Sequence, residues 1–208
     1  MRTRHVLISL ALLGMLNTAQ AGFDEDLAAH QRGEFPSSLG ELQPLAEQGN
    51  AYAQYQLGLR YHSGSETPKD DGEAARWYRR AAEQGAAEAQ ECLGYAYYRG
   101  QGVPVDYREA LKWFRLAAEQ GNARAQAWLG VLYQHGNGVP KNLVVAYALF
   151  NRAAAADDPL DRGLGLQNLE EVAVWMTPQQ IEAGRALSRT MSASPLNSID
   201  AYLVPTKH

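Results

Sequence analysis

The chain has 208 residues, of which 46% are hydrophobic and 20% are charged, which is enough apolar material for one or two packed domains. Its formal charge of -4 argues against electrostatic capture of nucleic acid or of an anionic lipid surface. Because Cys92 is the single cysteine of the sequence, an intrachain disulfide and any multi-thiolate zinc or iron–sulfur site are excluded.

The amino terminus has the order of a secretory signal peptide. Arg2 and Arg4 precede an apolar run at residues 6–16, which is well short of the roughly 20 residues that span a bilayer. Small residues follow at Ala19 and Ala21, so we expect a signal peptide at residues 1–21 with cleavage after Ala21. The sequence therefore predicts a periplasmic or secreted protein without membrane insertion after cleavage, and an uncleaved N-terminal anchor is the alternative.

From Gly49 onward the sequence repeats with a period of 36 residues. Three windows begin at Gly49, Gly85 and Gly121, and the same residue types recur in them at the same offsets, including Ala53, Ala89 and Ala125, Leu57, Leu93 and Leu129, Tyr61, Tyr97 and Tyr133, and Pro68, Pro104 and Pro140. A fixed period of this length is typical of repeat architectures, in which each unit is stabilised by its neighbours.

Each window predicts two antiparallel helices. In the first helix Gln54, Leu57, Gly58 and Tyr61 have the spacing i, i+3, i+4, i+7, which places them on one face turned toward neighbouring helices. A glycine inside a helix costs about 1 kcal/mol relative to alanine. Gly58 and its equivalents therefore predict a close approach of a neighbouring backbone.

Capping residues mark where these helices end and begin. Gly64, Gly100 and Gly136 fit left-handed caps at the carboxyl ends of the first helices. The second helices are predicted to begin after Asp70, Asp106 and Asn142, since aspartate and asparagine are good N-caps.

The segments on either side of the repeats are predicted to cover the two ends of the stack. We expect an N-terminal capping helix pair at residues 22–49, three repeats at 50–157, C-terminal capping helices at 158–191 and a loosely attached tail at 192–208. Within the C-terminal pair, Thr177 and Gln180 have capping-box spacing at the start of a helix.

The repeat resembles the Sel-1-like repeat, a slightly longer relative of the tetratricopeptide repeat. The second window carries the signature of that family whole, in Ala89-Gln90, Leu93-Gly94, Tyr97, Gly100-Gln101-Gly102-Val103-Pro104, Asp106, Ala110, Trp113 and Ala117-Ala118-Glu119-Gln120-Gly121. The first window departs from it at Ser65-Glu66-Thr67 and the third at Leu149 and Asp157. The resemblance implies an all-α fold, a right-handed α/α solenoid of stacked helix-turn-helix repeats whose first helices line the concave side.

Residue types that could be catalytic or bind a metal either recur with the repeat period or occur singly in the sequence. Glu47, Glu83 and Glu119 recur with the period, and His30, His62, His135 and His208 show neither an i, i+4 pair nor a nearby acidic cluster. The Gly-x-Gly turns lack the lysine and serine or threonine of a phosphate-binding loop. Cys92 is interpreted as a half-buried structural thiol rather than a nucleophile. We therefore expect no catalytic residue, no metal site and no cofactor, and the protein is not expected to be an enzyme.

The candidate binding residues are those of the first helices that lie off the packing stripe or next to it. They are Tyr52, Tyr55, Leu59 and His62 in the first repeat, Glu88, Glu91, Tyr95, Tyr98 and Arg99 in the second, and Arg124, Val131, Gln134 and His135 in the third. Tyrosine combines a large contact area with a polar end and is enriched at protein interfaces. This surface therefore predicts a protein partner, and the alternative is that the tyrosines only fill the space between helices.

Together these observations predict an exported helical-repeat protein that binds a protein partner through its concave face. By analogy with proteins of this fold, it would act as an adaptor, a regulator or an inhibitor, including an immunity protein against a secreted toxin such as a lipase. The alternative is a weak β-lactamase or other envelope hydrolase, because a cysteine-rich subfamily of these repeats is associated with penicillin binding. The cysteine pair of that subfamily and a Ser-x-x-Lys motif are both missing from this sequence. The sequence carries no signal for an oligomeric state.

Overall fold

A computed structural model describes residues 21–193, with side chains to residue 191. Ten helices make up this part of the chain, and it contains no strand: α1 at residues 21–31, α2 Leu39–Glu47, α3 Ala51–Ser63, α4 Asp71–Glu83, α5 Ala87–Arg99, α6 Tyr107–Glu119, α7 Ala123–His135, α8 Leu143–Ala153, α9 Pro159–Ala173 and α10 Pro178–Ala193. The all-α prediction is confirmed. Residues 1–20 of the predicted signal peptide and residues 194–208 of the predicted tail lie outside the described residues.

The chain divides into two compact units, and the division falls after Val105. In the first unit α2 packs on α3, α3 on α4 and α4 on α5. In the second unit α6 packs on α7, α7 on α8, and α8 on both α9 and α10. Within each unit the helices pack on their sequence neighbours, as expected of helical repeats.

The core of the first unit begins between α2 and α3. Leu42, Ala46, Ala53 and Leu57 form a fully buried cluster, and Trp77 of α4 packs against it. Because small alanine side chains alternate with leucines across these helices, the helix axes approach closely and little space is left between them.

The recurring glutamine of the first helices is a buried hydrogen-bond donor rather than a simple packing residue. In each repeat its Nε2 donates to a carbonyl at the carboxyl end of the preceding helix, where helical carbonyls have no intrahelical partner. The three bonds join Gln54 to Ala46 (3.0 Å), Gln90 to Ala82 (3.1 Å) and Gln126 to Ala118 (3.4 Å). This role explains why a polar residue is retained at a position that is only 4% exposed.

The glycine inside the first helices makes room for an aromatic ring. A Cβ built on Gly58 would lie 2.5 Å from Cδ1 of Tyr78, and one on Gly130 would lie 2.6 Å from Cε1 of Phe150. The predicted close approach is therefore present, but the neighbour is a side chain of the following helix. The expectation that a backbone approaches there is wrong.

The predicted caps are confirmed by their hydrogen bonds and backbone angles. Asp70 accepts from the Glu73 N–H, Asp106 from those of Arg108 and Glu109, and Asn142 from that of Val145. Gly64, Gly100 and Gly136 adopt φ of 73°, 71° and 78°. At α10 the Thr177 N–H donates to Gln180 Oε1 (2.9 Å), and the Gln180 N–H donates to Thr177 Oγ1 (3.2 Å).

The turn after α3 departs from the turns of the other two repeats. Glu66 stands where the second and third repeats have Gly102 and Gly138, and it keeps a positive φ of 66°, a conformation that is unfavourable for residues with a Cβ. Its Oε2 accepts a hydrogen bond from the Leu39 N–H at the start of α2 (3.0 Å), and its Oε1 lies 3.5 Å from Arg60 Nε. The side chain of Glu66 thus ties the turn to the beginning of α2.

Helix α8 is the centre of the second unit. Every side chain from Val144 to Phe150 is buried, since α7, α9 and α10 all pack against this helix. Asn151 Nδ2 donates to Ser188 Oγ at 2.9 Å and so joins α8 to α10. None of the described helices is both long enough and apolar enough to cross a membrane.

Candidate partner-binding site

A pocket of about 150 Å³ lies between α3, α4 and α5 of the first unit. Four of the residues that line it were predicted from the sequence: Leu59, His62, Glu91 and Tyr95. The other lining residues were not among the predicted binding residues; they are Asp71, Ala74, Tyr78, Cys92, Ala96 and Gln101. We refer to this site as the α3–α5 pocket.

The polar side of the α3–α5 pocket is built around Asp71. His62 Nδ1 lies 2.8 Å from Asp71 Oδ1, and Lys69 Nζ lies 3.4 Å from Asp71 Oδ2. His62 therefore has a single acidic partner from the next helix, a pair that was not predicted from the sequence. The sequence does contain a signal for this pair, because the last turn of one helix and the first turn of the next are adjacent in a helical hairpin.

The pocket lining also includes aromatic side chains, Tyr78 and Tyr95. Tyr78 is buried against Gly58, and its ring centroid lies 6.3 Å from that of Tyr55. Burial raises the pKa of both phenols well above the ordinary value. Both therefore stay neutral at physiological pH, and they supply contact area rather than acid–base chemistry.

Cys92 also lines this pocket. Its Sγ is 3.7 Å from Glu91 Oε2. Among residues 21–193 no group of three or more histidine, cysteine, aspartate or glutamate side chains is arranged to hold a metal ion. The pocket thus offers apolar and aromatic contacts, a half-exposed histidine–aspartate pair and a carboxylate.

Tyr52 and Tyr55 do not face an open groove, because helix α1 lies over them. Tyr52 is 0% exposed, and the Phe23 ring of α1 packs 5.2 Å from its ring and 5.8 Å from that of Tyr55. Phe35 makes an edge contact with Tyr52 at 4.9 Å. Tyr52 is therefore buried in the core of the first unit, which corrects the prediction that it contacts a partner. The sequence pattern missed this because α1 lies outside the repeat.

Glu88 of α5 is half-buried. Its Oε2 is buried and has no hydrogen-bond partner among the described atoms. Burial raises the pKa of the Glu88 carboxyl, and the nearby Asp24 carboxylate of α1 raises it further. The remaining predicted residues of α5 keep accessible surface, since Tyr98 is half-buried and Arg99 is exposed.

The predicted residues of the third repeat lie on α7, in the second unit. Val131 and Gln134 are half-buried. Arg124 Nε lies 2.7 Å from Asp161 of α9, and His135 Nδ1 lies 3.0 Å from the Val131 carbonyl oxygen. Arg124 thus holds a capping helix, a role that the repeat pattern did not predict.

Comparison with known proteins identifies the repeat. The family model described as Sel1 repeat matches residues 51–85, 87–122 and 123–158. The secretory immunoglobulin A-binding protein EsiB of Escherichia coli O6:H1 is 50% identical over 44 residues, a match that covers 21% of this chain and 9% of EsiB. The chain therefore spans only a small part of the length of that relative.

Two crystal structures are similar in fold. A Sel1 repeat protein from Oxalobacter formigenes is 36% identical with a TM-score of 0.54, over 64% of this chain and 97% of that one. A protective antigen present in uropathogenic Escherichia coli strains, which displays an SLR fold, is 26% identical with a TM-score of 0.56, over 88% of this chain and 47% of that one. These likenesses confirm the prediction of a helical-repeat solenoid.

Proposed function

Because the chain belongs to the Sel1 repeat family, we propose that it is an exported protein that binds a protein partner through the α3–α5 pocket and the surface around it. It acts as an adaptor, a regulator or an inhibitor, and the inhibitor role includes that of an immunity protein against a secreted toxin. Sel1-repeat proteins generally mediate protein–protein interactions, and the relative EsiB is named for binding secretory immunoglobulin A.

The observation that carries this proposal is the composition of the α3–α5 pocket. Leu59, Tyr95 and His62 keep half-exposed surface around a concave site, and apolar or aromatic anchors beside a few polar groups are typical of the energetic centre of a protein interface. These residues occupy positions where the repeats differ from one another. Packing within a repeat therefore does not account for the residue types found there.

All three roles are steric and need a shaped surface rather than reactive groups. The pocket lining includes two carboxylates, Glu91 and Asp71, and Asp71 is paired with His62 and Lys69 within the chain. Rim charges mainly affect association rate and salt dependence, whereas the buried anchors determine how slowly the complex dissociates.

Affinity capture from the exported fraction of the native host tests the proposal. The wild-type chain should retain a partner that the double variant Leu59→Ala/Tyr95→Ala loses by tenfold or more, because both anchors line the pocket. Tyr107→Ala is the matched control, since Tyr107 is an exposed tyrosine on α6 in the second unit. Equal retention by the double variant and the control would contradict the site assignment.

A further inference from the structure

The side chain of Tyr78 carries a hydroxyl that packing within the repeat does not require. Tyr78 is 4% exposed, and its ring lies against Gly58. The two later repeats have Phe114 and Phe150 at the same offset, and Phe150 packs against Gly130 in the same way. Because phenylalanine fills this position in the other repeats, the hydroxyl of Tyr78 needs a different explanation.

The Tyr78 hydroxyl has no hydrogen-bond partner in the part of the chain that the structure describes. Nearly all polar groups of buried side chains in proteins are paired, and an unpaired one is costly. Tyr78 lines the α3–α5 pocket, so a ligand in that pocket lies next to this side chain and can supply the missing partner.

A second unpaired polar atom belongs to His62, which also lines the pocket. His62 Nδ1 lies 2.8 Å from Asp71 Oδ1, and a carboxylate only accepts hydrogen bonds, so Nδ1 carries the proton of this bond. In the neutral imidazole Nε2 is then left as an acceptor, and it has no partner among the described residues. The other two repeats have no histidine and no aspartate at these two offsets. The pair, like the Tyr78 hydroxyl, therefore belongs to the first repeat alone.

The size and the charge of the pocket limit what it can hold. A cavity of about 150 Å³ accommodates one benzene-sized ring, and the lining includes a leucine and two alanines. The Glu91 carboxylate disfavours an anion, and Asp71 is already paired with His62 and Lys69. The unpaired groups match a neutral hydroxyl, which both donates and accepts. Among amino-acid side chains, tyrosine alone combines a ring of this size with a hydroxyl.

We propose that the α3–α5 pocket binds a single tyrosine side chain of the partner, whose hydroxyl donates to His62 Nε2 and accepts from the Tyr78 hydroxyl. This inference rests on the proposed function in that the partner is a protein, and it adds the residue type that the pocket selects. A phenylalanine would fill the same volume but leave both polar groups unpaired, so selection depends on the ligand hydroxyl.

Two side-chain analogues, N-acetyltyrosinamide and N-acetylphenylalaninamide, test the pocket without the partner. Each is titrated into the full chain, and the amide chemical shifts of the pocket residues Ala74 and Ala96 are followed by two-dimensional NMR. Both should give saturable shifts, and the tyrosine analogue should bind about fivefold more tightly because its hydroxyl is hydrogen-bonded. Tyr78→Phe should reduce this preference, and in the Tyr78→Phe/His62→Leu chain the two analogues should differ by less than about twofold.

Tyr147→Phe is the matched control, since Tyr147 is also 4% exposed but lies on α8 in the second unit. This variant should keep the full preference for the tyrosine analogue. Equal affinity of the two analogues for the wild-type chain, a preference that persists in the Tyr78→Phe/His62→Leu chain, or a lack of saturable shifts at the two alanines would overturn the proposal.

The outcome is separable from that of the affinity capture, because neither analogue is the partner. A partner that is lost with Leu59→Ala/Tyr95→Ala would still support the proposed function when the analogues show no preference for tyrosine. Conversely, selective binding of the tyrosine analogue would stand even if the double variant retained the partner.

Discussion

At the scale of single residues, Gly58 shows why a poor helix former is retained in the repeat. The side chain of alanine would overlap the buried Tyr78 ring. Gly58→Ala should therefore lower the free energy of unfolding by about 1–2 kcal/mol, because overpacking outweighs the propensity gain of about 1 kcal/mol.

Urea unfolding of this variant is best compared with Gly163→Ala in α9. A Cβ at Gly163 would meet no atom within 4 Å, so this control should be stabilised by up to about 1 kcal/mol. If both substitutions stabilise the protein, the packing explanation for the glycine fails.

The raised pKa of Glu88 predicts that the stability difference between the wild type and Glu88→Gln depends on pH. Because burial raises the pKa of Glu88 in the folded chain, the folded state holds this proton more tightly than the unfolded state does. The resulting stabilisation is fully present below the ordinary glutamate value of 4.5 and is lost as the pH rises through the raised value. Glu88→Gln should therefore raise Tm at pH 7 and leave it unchanged below about pH 4.

Thermal unfolding of the wild type and of Glu88→Gln between pH 3.5 and pH 8 provides the measurement. Glu83→Gln is a suitable control, because Glu83 is exposed at the end of α4 and the same change there should have little effect at any pH. A Tm offset for Glu88→Gln that is constant across this range would show that the carboxyl is not perturbed.

At the scale of elements, the turn between α3 and α4 contains a strained residue, Glu66. The bonds of its side chain offset the cost of its positive φ. Glu66→Ala keeps the positive φ and loses the bonds to Leu39 and Arg60. Glu66→Gly loses the same bonds but relieves the backbone, since glycine adopts this conformation readily. We expect Glu66→Ala to be less stable than Glu66→Gly by about 1 kcal/mol. Chemical denaturation that finds the two variants equal would contradict this reading of the turn.

The helices themselves follow from local sequence signals. The caps at Asp70, Asp106 and Asn142 and the turn glycines specify where the repeat helices begin and end, so the pattern located them within a few residues. A capping helix pair over the first repeat was predicted, but the burial of Tyr52 beneath α1 was not predictable in this way. Phe23 is one aromatic residue in a segment without a repeat equivalent, and its contact with Tyr52 depends on tertiary packing that no local rule encodes.

Only part of the candidate site was predicted from the sequence, because contacts between different elements depend on tertiary packing. Residues at one offset of the repeat necessarily share a face, and Leu59 and Tyr95, which are repeat equivalents, do line one pocket. The pair of His62 with Asp71 and the covering of Tyr52 arise where different elements meet. Periodicity describes one helix at a time and therefore does not reveal such contacts.

At the scale of the whole molecule, export is the first property to test. We expect the signal peptide to be removed after Ala21, so that the protein recovered from the periplasm or medium begins at Gly22. Intact mass and N-terminal sequencing check this start, and Ala19→Lys/Ala21→Lys is the matched variant that should block cleavage. A cytoplasmic protein that retains Met1 would contradict the proposal of export.

The central claim is that the α3–α5 pocket contacts the partner directly. Site-specific photo-crosslinking in the native host tests it, with benzoylphenylalanine replacing Tyr95 in the pocket or Tyr107 on α6. We expect a strong crosslink to one exported protein from position 95 and little or none from position 107. A partner that crosslinks from position 107 and not from position 95 would place the binding surface elsewhere and contradict the account.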